Sequence, residues 1–149
     1  RRGALAQTVF TIGYEKATVP DLIGALAAAD VDLVVDVRAI TSSRKPGFSK
    51  NALAAELAEA GIGYRHLRAL GTPKAGRDAA HKGDVATMHA IYDQQLALPE
   101  AQAEAAILRD LVAGHRTALL CYEREPAGCH RTFLLQAAVP DATVVDLYP

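Results

Sequence analysis

Apolar residues in this chain are grouped in two patterns, which predict alternating strands and helices. Short runs rich in β-branched and aliphatic residues are typical of strands. These runs are residues 8–12, 33–37, 62–67, 117–121 and 143–147. Apolar side chains at helical spacing follow most of them, at residues 51–60, 84–98, 100–113 and 129–138.

A further helix is predicted to begin at Thr18. Thr18 is a suitable N-cap, Pro20 belongs in a first turn, and Asp21 occupies the N3 position of a capping box. The polar, glycine- and proline-bearing residues 38–49 and 70–83 predict irregular segments.

The alternation of strands with helices predicts the fold class. Such chains form α/β domains in which helices cover both faces of a parallel sheet. Residues 33–37 are apolar apart from Asp36, which suits a strand buried on both faces. We therefore expect residues 1–149 to form a single three-layer α-β-α domain with a mainly parallel sheet of about five strands.

Composition narrows the classes of partner. Apolar residues make up 50% of the 149 residues, and the formal charge is −1. That balance gives no general reason to expect nucleic acid or an anionic membrane as partner. No signal peptide is visible, and no apolar run approaches the roughly 18 residues that span a bilayer. With only two cysteines, a disulfide framework is not predicted. We expect a cytoplasmic protein with no membrane association.

The middle of the chain is locally basic. Residues 36–83 contain nine Lys or Arg against four Asp or Glu, within a chain of net charge −1. A phosphate-bearing partner, either a nucleotide or a nucleic acid, explains such a cluster, and so does a need for soluble loops.

Polar side chains follow several predicted strands at the point where each strand ends. The carboxyl ends of parallel strands meet at one edge of a sheet, where ligands bind in open α/β folds. Arginines there can hold a phosphate or carboxylate, and tyrosines can stack on a base. The residues predicted to bind substrate are Tyr14, Arg38, Ser43, Arg44, Tyr64 and Arg131.

The segment 121–131 holds the densest group of reactive side chains. Cys129 falls at a predicted helix start, where the helix dipole and a nearby cation stabilise a thiolate. Such a thiolate is a nucleophile at neutral pH. His130 and Glu123 can move protons. The predicted catalytic residues are therefore Cys129, His130, Glu123 and Cys121.

Structural roles explain the same residues equally simply. Cys121 lies in an apolar strand and suits the core, His130 can satisfy a helix end, and Arg131 can brace Asp36 or Glu123. A disulfide between the two cysteines is an open alternative, which a reducing compartment opposes.

No metal site or cofactor is predicted. The cysteine spacing matches no C-x-x-C pair, and structural zinc sites usually have four ligands. The chain also lacks G-x-G-x-x-G and G-x-x-x-x-G-K-[ST].

Several segments, taken together and in this order, resemble a known family. They are T-I-G-Y-E at 11–15, D-V-R at 36–38 with S-R at 43–44, G-I-x-Y-x-H-L at 61–67, and C-x-E-x-x-P-x-x-C-H-R at 121–131. The family is an uncharacterised prokaryotic domain of unknown function with a terminal Cys-His-Arg signature. Many members have a proline near Thr41 or Ser42, which this chain lacks. The resemblance implies a small bacterial α/β protein and brings no settled activity.

Three functional hypotheses follow. The first is an enzyme acting on a small anionic substrate that is phosphorylated, a nucleotide or sulfur-bearing. The second is a non-catalytic module that binds a nucleotide or nucleic acid without using a thiol. The third is an adaptor with purely structural cysteines, which would require an exposed apolar patch.

Overall fold

A computed structural model describes residues 7–149 of the chain. Its strands are β1 (Thr8–Gly13), β2 (Leu33–Asp36), β3 (Gly63–His66), β4 (Thr117–Cys121) and β5 (Thr143–Leu147). Its helices are α1 (Val19–Ala28), α2 (Lys50–Glu59), α3 (Lys74–His81), α4 (Val85–Leu96), α5 (Pro99–Gly114) and α6 (His130–Ala138).

The five strands form one sheet in the order β3-β2-β4-β1-β5, and every neighbouring pair is parallel. The predicted α/β class with a mainly parallel sheet of about five strands is confirmed. The three central strands β2, β4 and β1 are buried along almost their whole length, because helices cover both faces.

Apolar side chains fill two cores, one on each face of the sheet. Val35 and Leu119 face one core, which α4, α5 and α6 cover. Val34 and Leu120 face the other core, which α1 and α2 cover. Within residues 7–149, no helix is both long and apolar enough to cross a membrane.

The predicted start of α1 is confirmed in detail. The Asp21 backbone N–H donates to the Thr18 hydroxyl at 3.2 Å, and the Thr18 N–H donates to the Asp21 carboxylate at 3.1 Å. This reciprocal capping box satisfies two of the amides that a helix start leaves unpaired.

The prediction that residues 70–83 are irregular is wrong. Helix α3 lies within this segment, directly after Pro73. Its glycine suits close helix packing against α4, since a Cβ atom on Gly76 would approach the Thr72 methyl to 2.5 Å and Ile91 to 3.3 Å. The glycine that indicated a loop in the sequence is therefore a packing residue.

Candidate functional site

The ends of the three central strands lie side by side at one edge of the sheet. The Tyr14 N–H, just after β1, donates to the Cys121 carbonyl at 3.2 Å. The Val37 N–H, just after β2, donates to the Leu120 carbonyl at 3.1 Å. The edge predicted from the sequence is thus formed by β1, β4 and β2, with β4 in the middle.

Gly13 allows the chain after β4 to pass close to β1. A Cβ atom at Gly13 would overlap the Glu123 carbonyl oxygen, at 1.7 Å, and would approach the Arg124 nitrogen to 3.0 Å. No larger residue fits there without displacing the backbone. The absence of a side chain at Gly13 therefore sets the path of the segment that carries Glu123.

A cavity of about 340 Å³ opens at this edge. That volume lies at the lower end of the range for small-molecule sites, about 300–1,000 Å³. Five of the ten residues predicted for the site line it, namely Tyr14, Arg38, Cys121, Glu123 and His130. Other polar residues of the wall are Ser42, Thr72, Arg77, His81 and Tyr122.

Arg38 is held by groups of the protein itself. Its Nε donates to Asp36 Oδ1 at 2.8 Å and its Nη2 donates to Asp36 Oδ2 at 2.6 Å. Its Nη1 donates to the Phe48 carbonyl at 2.7 Å and to the Tyr14 hydroxyl at 3.3 Å. Burial acts to lower the pKa of Arg38, but the hydrogen bonds and charge of Asp36 outweigh it and raise that pKa. Arg38 therefore forms a neutralised part of the wall and fixes the loop that carries Phe48.

Of the six residues predicted to bind substrate, four lie outside this cavity: Arg131, and the three residues Tyr64, Ser43 and Arg44. The Tyr64 hydroxyl donates to Asp36 Oδ2. The Ser43 hydroxyl accepts the Lys45 N–H at 3.1 Å and so shapes the loop. Arg44 is exposed. The structure does not bring these three side chains to the cavity wall.

Arg131 lies directly behind Cys121. Its side chain is fully buried, and its Nη1 is 2.7 Å from Cys121 Sγ. It also donates to the carbonyls of Glu123, at 2.6 Å, and Arg124, at 3.1 Å. Its Nε is buried with no hydrogen-bond partner. Within the described part of the chain, no carboxylate lies within 4.0 Å of this guanidinium.

Arg131 remains a cation in this position. Burial lowers the pKa of Arg131, and the more distant charges of Asp146 and Glu123 partly offset that effect. Since guanidinium begins from a very high pKa, it stays charged in proteins. The group nearest to this cation that can carry a negative charge is the Cys121 sulfur.

The two cysteines meet in the structure. Cys121 Sγ and Cys129 Sγ are paired as a disulfide, and each residue is 1% exposed. Both cysteines pack in the same apolar core, but only Cys121 also belongs to the cavity wall. The sequence favoured Cys129 as the working thiol, but the structure places Cys121 next to the cavity and the cation.

The unprotonated ring nitrogen of His130 faces Cys129. The His130 Nε2 lies 2.9 Å from the Val37 carbonyl oxygen, which can only accept, so we assign the ring hydrogen to Nε2. Nδ1 then presents a lone pair to Cys129 Sγ at 3.7 Å. Burial lowers the pKa of His130 to about 4, and the nearby Arg131 charge adds to that effect. His130 is therefore neutral at pH 7, and the lone pair on Nδ1 is positioned to accept a hydrogen bond from a Cys129 thiol.

Glu123 also lies near the Cys121 sulfur. Its Oε1 is 3.9 Å from Sγ. Burial raises the pKa of Glu123, while a backbone hydrogen bond and the Arg131 charge act to lower it. A carboxyl group in such a position retains its proton to higher pH than an exposed glutamate and can exchange it with a bound ligand.

Donor atoms of Cys121, Glu123 and Cys129 lie within 4.8 Å of one another, close enough to share a metal ion. Two features oppose that assignment. The two sulfurs are paired with each other, and the Arg131 cation occupies the position beside Cys121. A cation at that point repels a second one, so we assign no metal site to this group.

Sequence reasoning missed Arg77 and His81. Both belong to α3 and line the cavity. Arg77 Nη1 donates to the Thr72 carbonyl at 2.8 Å, and His81 is exposed at the rim. Their i, i+4 spacing places them on one face of a helix, which is the signal that could have identified them. Because residues 70–83 were expected to be irregular, that spacing carried no weight.

The chain was compared with families and individual proteins. A family model described as "Domain of unknown function DUF488" matches residues 18–138. No curated protein and no solved structure matches the chain.

Proposed function

The chain belongs to the DUF488 family, whose function is unknown. From the geometry of the site, we propose that the protein is an enzyme. It uses the Cys121 thiolate to attack a small anionic substrate bound in the cavity. The observation that carries this proposal is the contact between the buried guanidinium of Arg131 and the Cys121 sulfur, at 2.7 Å.

The contact with Arg131 would activate Cys121 in the reduced protein. A buried cation without a carboxylate partner is unfavourable, and a thiolate beside it supplies the missing negative charge. The same attraction favours the thiolate over the thiol, which makes the sulfur a nucleophile near neutral pH. Cys121 lines the cavity, so that nucleophile would meet a bound ligand.

The cavity also suits an anion. Arg38 is neutralised by Asp36, but Arg77 and His81 are not paired with a carboxylate within residues 7–149. Arg77 offers several donors beyond the one used by Thr72, and a guanidinium can bind a phosphate, sulfonate or carboxylate through two parallel hydrogen bonds. We assign substrate binding to Arg77 in place of Arg38.

Glu123 would serve the proton transfers. Its carboxyl group lies near the sulfur, at 3.9 Å, and lines the cavity. Since burial raises the pKa of Glu123, it can hold a proton and deliver it to a leaving group. The reducing cytoplasm, which we propose as the location, would keep the two thiols available between turnovers.

The proposal is tested with two alkylating probes that differ in charge. In a reduced Cys129→Ser variant, Cys121 is the one remaining cysteine. The preference of a thiol is its rate with anionic iodoacetate divided by its rate with neutral iodoacetamide. We expect this ratio to be at least about tenfold higher for Cys121 than for free cysteine, because a matched cation is worth about 1.4 kcal/mol or more. Arg77→Gln should remove this preference and leave the iodoacetamide rate unchanged.

Arg109→Gln is the matched control, since Arg109 is exposed on α5 and lines none of the cavities described. It should keep the preference for iodoacetate. If Cys121 discriminates between the two probes no better than free cysteine does, the cavity does not select anions and the proposal fails.

One observation favours a second candidate, a module that binds a nucleotide or nucleic acid. Several basic residues of the segment 36–83 are exposed and lie outside the cavity wall, among them Arg44, Lys50 and Arg65. Such a module would bind an oligonucleotide with an affinity that falls steeply as salt is added, and Cys121→Ala would leave that affinity unchanged.

A further inference from the structure

We infer that the reaction is thiol–disulfide exchange: Cys121 attacks a small anionic disulfide, and Cys129, with His130 as its base, resolves the mixed disulfide that forms. This inference rests on the proposed role of Cys121 as the nucleophile. It assigns a function to Cys129 and His130, which the proposed function leaves unused.

The two cysteines have different surroundings, and the difference matches two different tasks. Cys121 lines the cavity and contacts the Arg131 cation. Cys129 does not line the cavity and faces the lone pair of His130 Nδ1 at 3.7 Å. A cation stabilises a thiolate that attacks or leaves, whereas a base is needed by a thiol that must first lose its proton.

The position of Cys129 also selects the substrate class. Its sulfur meets that of Cys121, so it can attack any intermediate in which the Cys121 sulfur is itself the electrophile. A mixed disulfide is such an intermediate, because attack on Cys121 Sγ releases a good leaving thiolate. An acyl or phosphoryl group on Cys121 would instead be attacked at its carbon or phosphorus atom. Release of such a group does not require a second thiol next to the Cys121 sulfur.

The cavity favours a disulfide over a peroxide, the other reagent that makes the Cys121 sulfur electrophilic. A volume of about 340 Å³ exceeds what a small peroxide needs. Arg77 and His81 at the wall would also have no partner on a neutral peroxide, whereas a carboxylate or phosphate carried by a disulfide would occupy them.

The first step joins Cys121 to the substrate. The Cys121 thiolate attacks one sulfur of the disulfide, a new S–S bond forms, and the substrate's own S–S bond breaks. The first product leaves as a thiolate that takes the Glu123 proton, which solvent then replaces. The anionic group of the substrate stays near Arg77 during this step.

The second step closes the protein disulfide. As Cys129 Sγ attacks Cys121 Sγ, its proton passes to His130 Nδ1, so that the buried imidazole is protonated only while the new S–S bond forms. The mixed disulfide breaks, and the second product leaves as a thiolate and takes the proton from His130. The substrate gains two electrons, and the two thiols of the protein become a disulfide. A dithiol reductant then restores both thiols by the reverse exchange.

The test follows the release of thionitrobenzoate when reduced protein reacts with 5,5′-dithiobis(2-nitrobenzoate), an anionic disulfide. The unmodified chain should release both halves of the reagent and end as an unlabelled disulfide by mass spectrometry. Cys129→Ser should release one half and retain the other on Cys121. Cys121→Ser should react at least about tenfold more slowly, because Cys129 does not line the cavity and lacks the contact with Arg131.

His130→Gln keeps a donor for the Val37 carbonyl but removes the base. We expect it to slow the second release by at least about tenfold and to leave the first release unchanged, because a base whose pKa lies well below the working pH contributes less than a well-matched one. His115→Gln is the control: His115 is exposed and pairs with Asp32, so both releases should be unaffected.

Two results would overturn the inference while leaving the proposed function standing. One is a stable label on Cys121 in the unmodified protein, which would show that Cys129 does not resolve it. The other is oxidation of the pair by hydrogen peroxide faster than by the anionic disulfide at equal concentration. Slow labelling of Cys121 itself, at the rate of free cysteine, would overturn the proposed function as well.

Discussion

The Nε2 atom of His130 lies 2.9 Å from the carbonyl oxygen of Val37, so the first residue of α6 is tied to the end of β2. The imidazole is buried and packs edge-on against Tyr92, with ring centroids 5.1 Å apart. The Arg131 charge acts against its protonation, and the more distant Asp36 charge favours it. These contacts hold a neutral histidine between the sheet and the two cysteines.

The neutral His130 predicts how the stability of the protein depends on pH. Its pKa is lowered from an ordinary value of 6.5 to about 4 in the folded state, so between those values the unfolded chain binds a proton that the folded one does not. The contribution of neutral His130 to the free energy of unfolding is therefore complete above pH 6.5 and is lost as the pH falls toward 4. We expect a loss of about 3 kcal/mol over that range.

Urea unfolding at a series of pH values, under reducing conditions, measures this loss. His130→Gln should flatten the dependence between pH 6.5 and 4, and the exposed His115→Gln should leave it unchanged. An identical dependence in the His130→Gln variant would show that His130 is not the group responsible.

The Asp36–Arg38 ion pair predicts a large effect on stability. Both side chains are almost fully buried, so Asp36→Asn would leave the Arg38 guanidinium buried without its counter-charge. We expect the free energy of unfolding to fall by about 3–5 kcal/mol. The matched control is Asp78→Asn, which breaks the exposed Lys74–Asp78 pair and should leave the urea midpoint where it is. Equal effects of the two substitutions would contradict this account of the cavity wall.

Gly13 predicts a steric effect at the rim of the cavity. In Gly13→Ala the new methyl group would overlap the Glu123 carbonyl, so the segment after β4 must move and stability should fall by about 1–3 kcal/mol. Gly24→Ala is the control, because Gly24 lies within α1 with open space around it. That change should stabilise the protein by about 0.5–1 kcal/mol. A neutral Gly13→Ala variant would show that the close approach is unimportant.

The strands and most helices were predictable because the pattern of apolar and polar side chains along each element indicates which of its faces are buried. Apart from Asp36 and Thr117, β2 and β4 are apolar runs, which is typical of strands buried on both faces. Helix α3 was not predictable in the same way. Pro73 and Gly76 indicate a break in the sequence, and the helix depends on packing against α4 that only the folded chain reveals.

The place of the candidate site in the fold was predictable, but the contacts of each residue were not. Parallel strands bring Tyr14, Cys121 and Glu123 to one edge whatever their order. Which thiol faces the cavity depends instead on the rotation of α6 against β4. Arg131 shares a helical face with buried Leu134, Leu135 and Ala138, a spacing that indicates burial of its guanidinium. Sequence reasoning expected that cation to contact a substrate or a carboxylate, or to stabilise the Cys129 thiolate, and the structure places it beside the Cys121 sulfur instead.

The most direct test of the whole account is the rate of iodoacetamide reaction with Cys121 as a function of pH, in reduced Cys129→Ser protein. We predict a midpoint at least about one pH unit below the value near 8.5 of free cysteine. Arg131→Met should raise the midpoint by a similar amount, Arg131→Lys should keep part of the effect, and the exposed Arg109→Met should change nothing. A midpoint equal to that of free cysteine, or one that Arg131→Met leaves in place in a folded protein, would contradict the assignment of Cys121 as an activated thiolate.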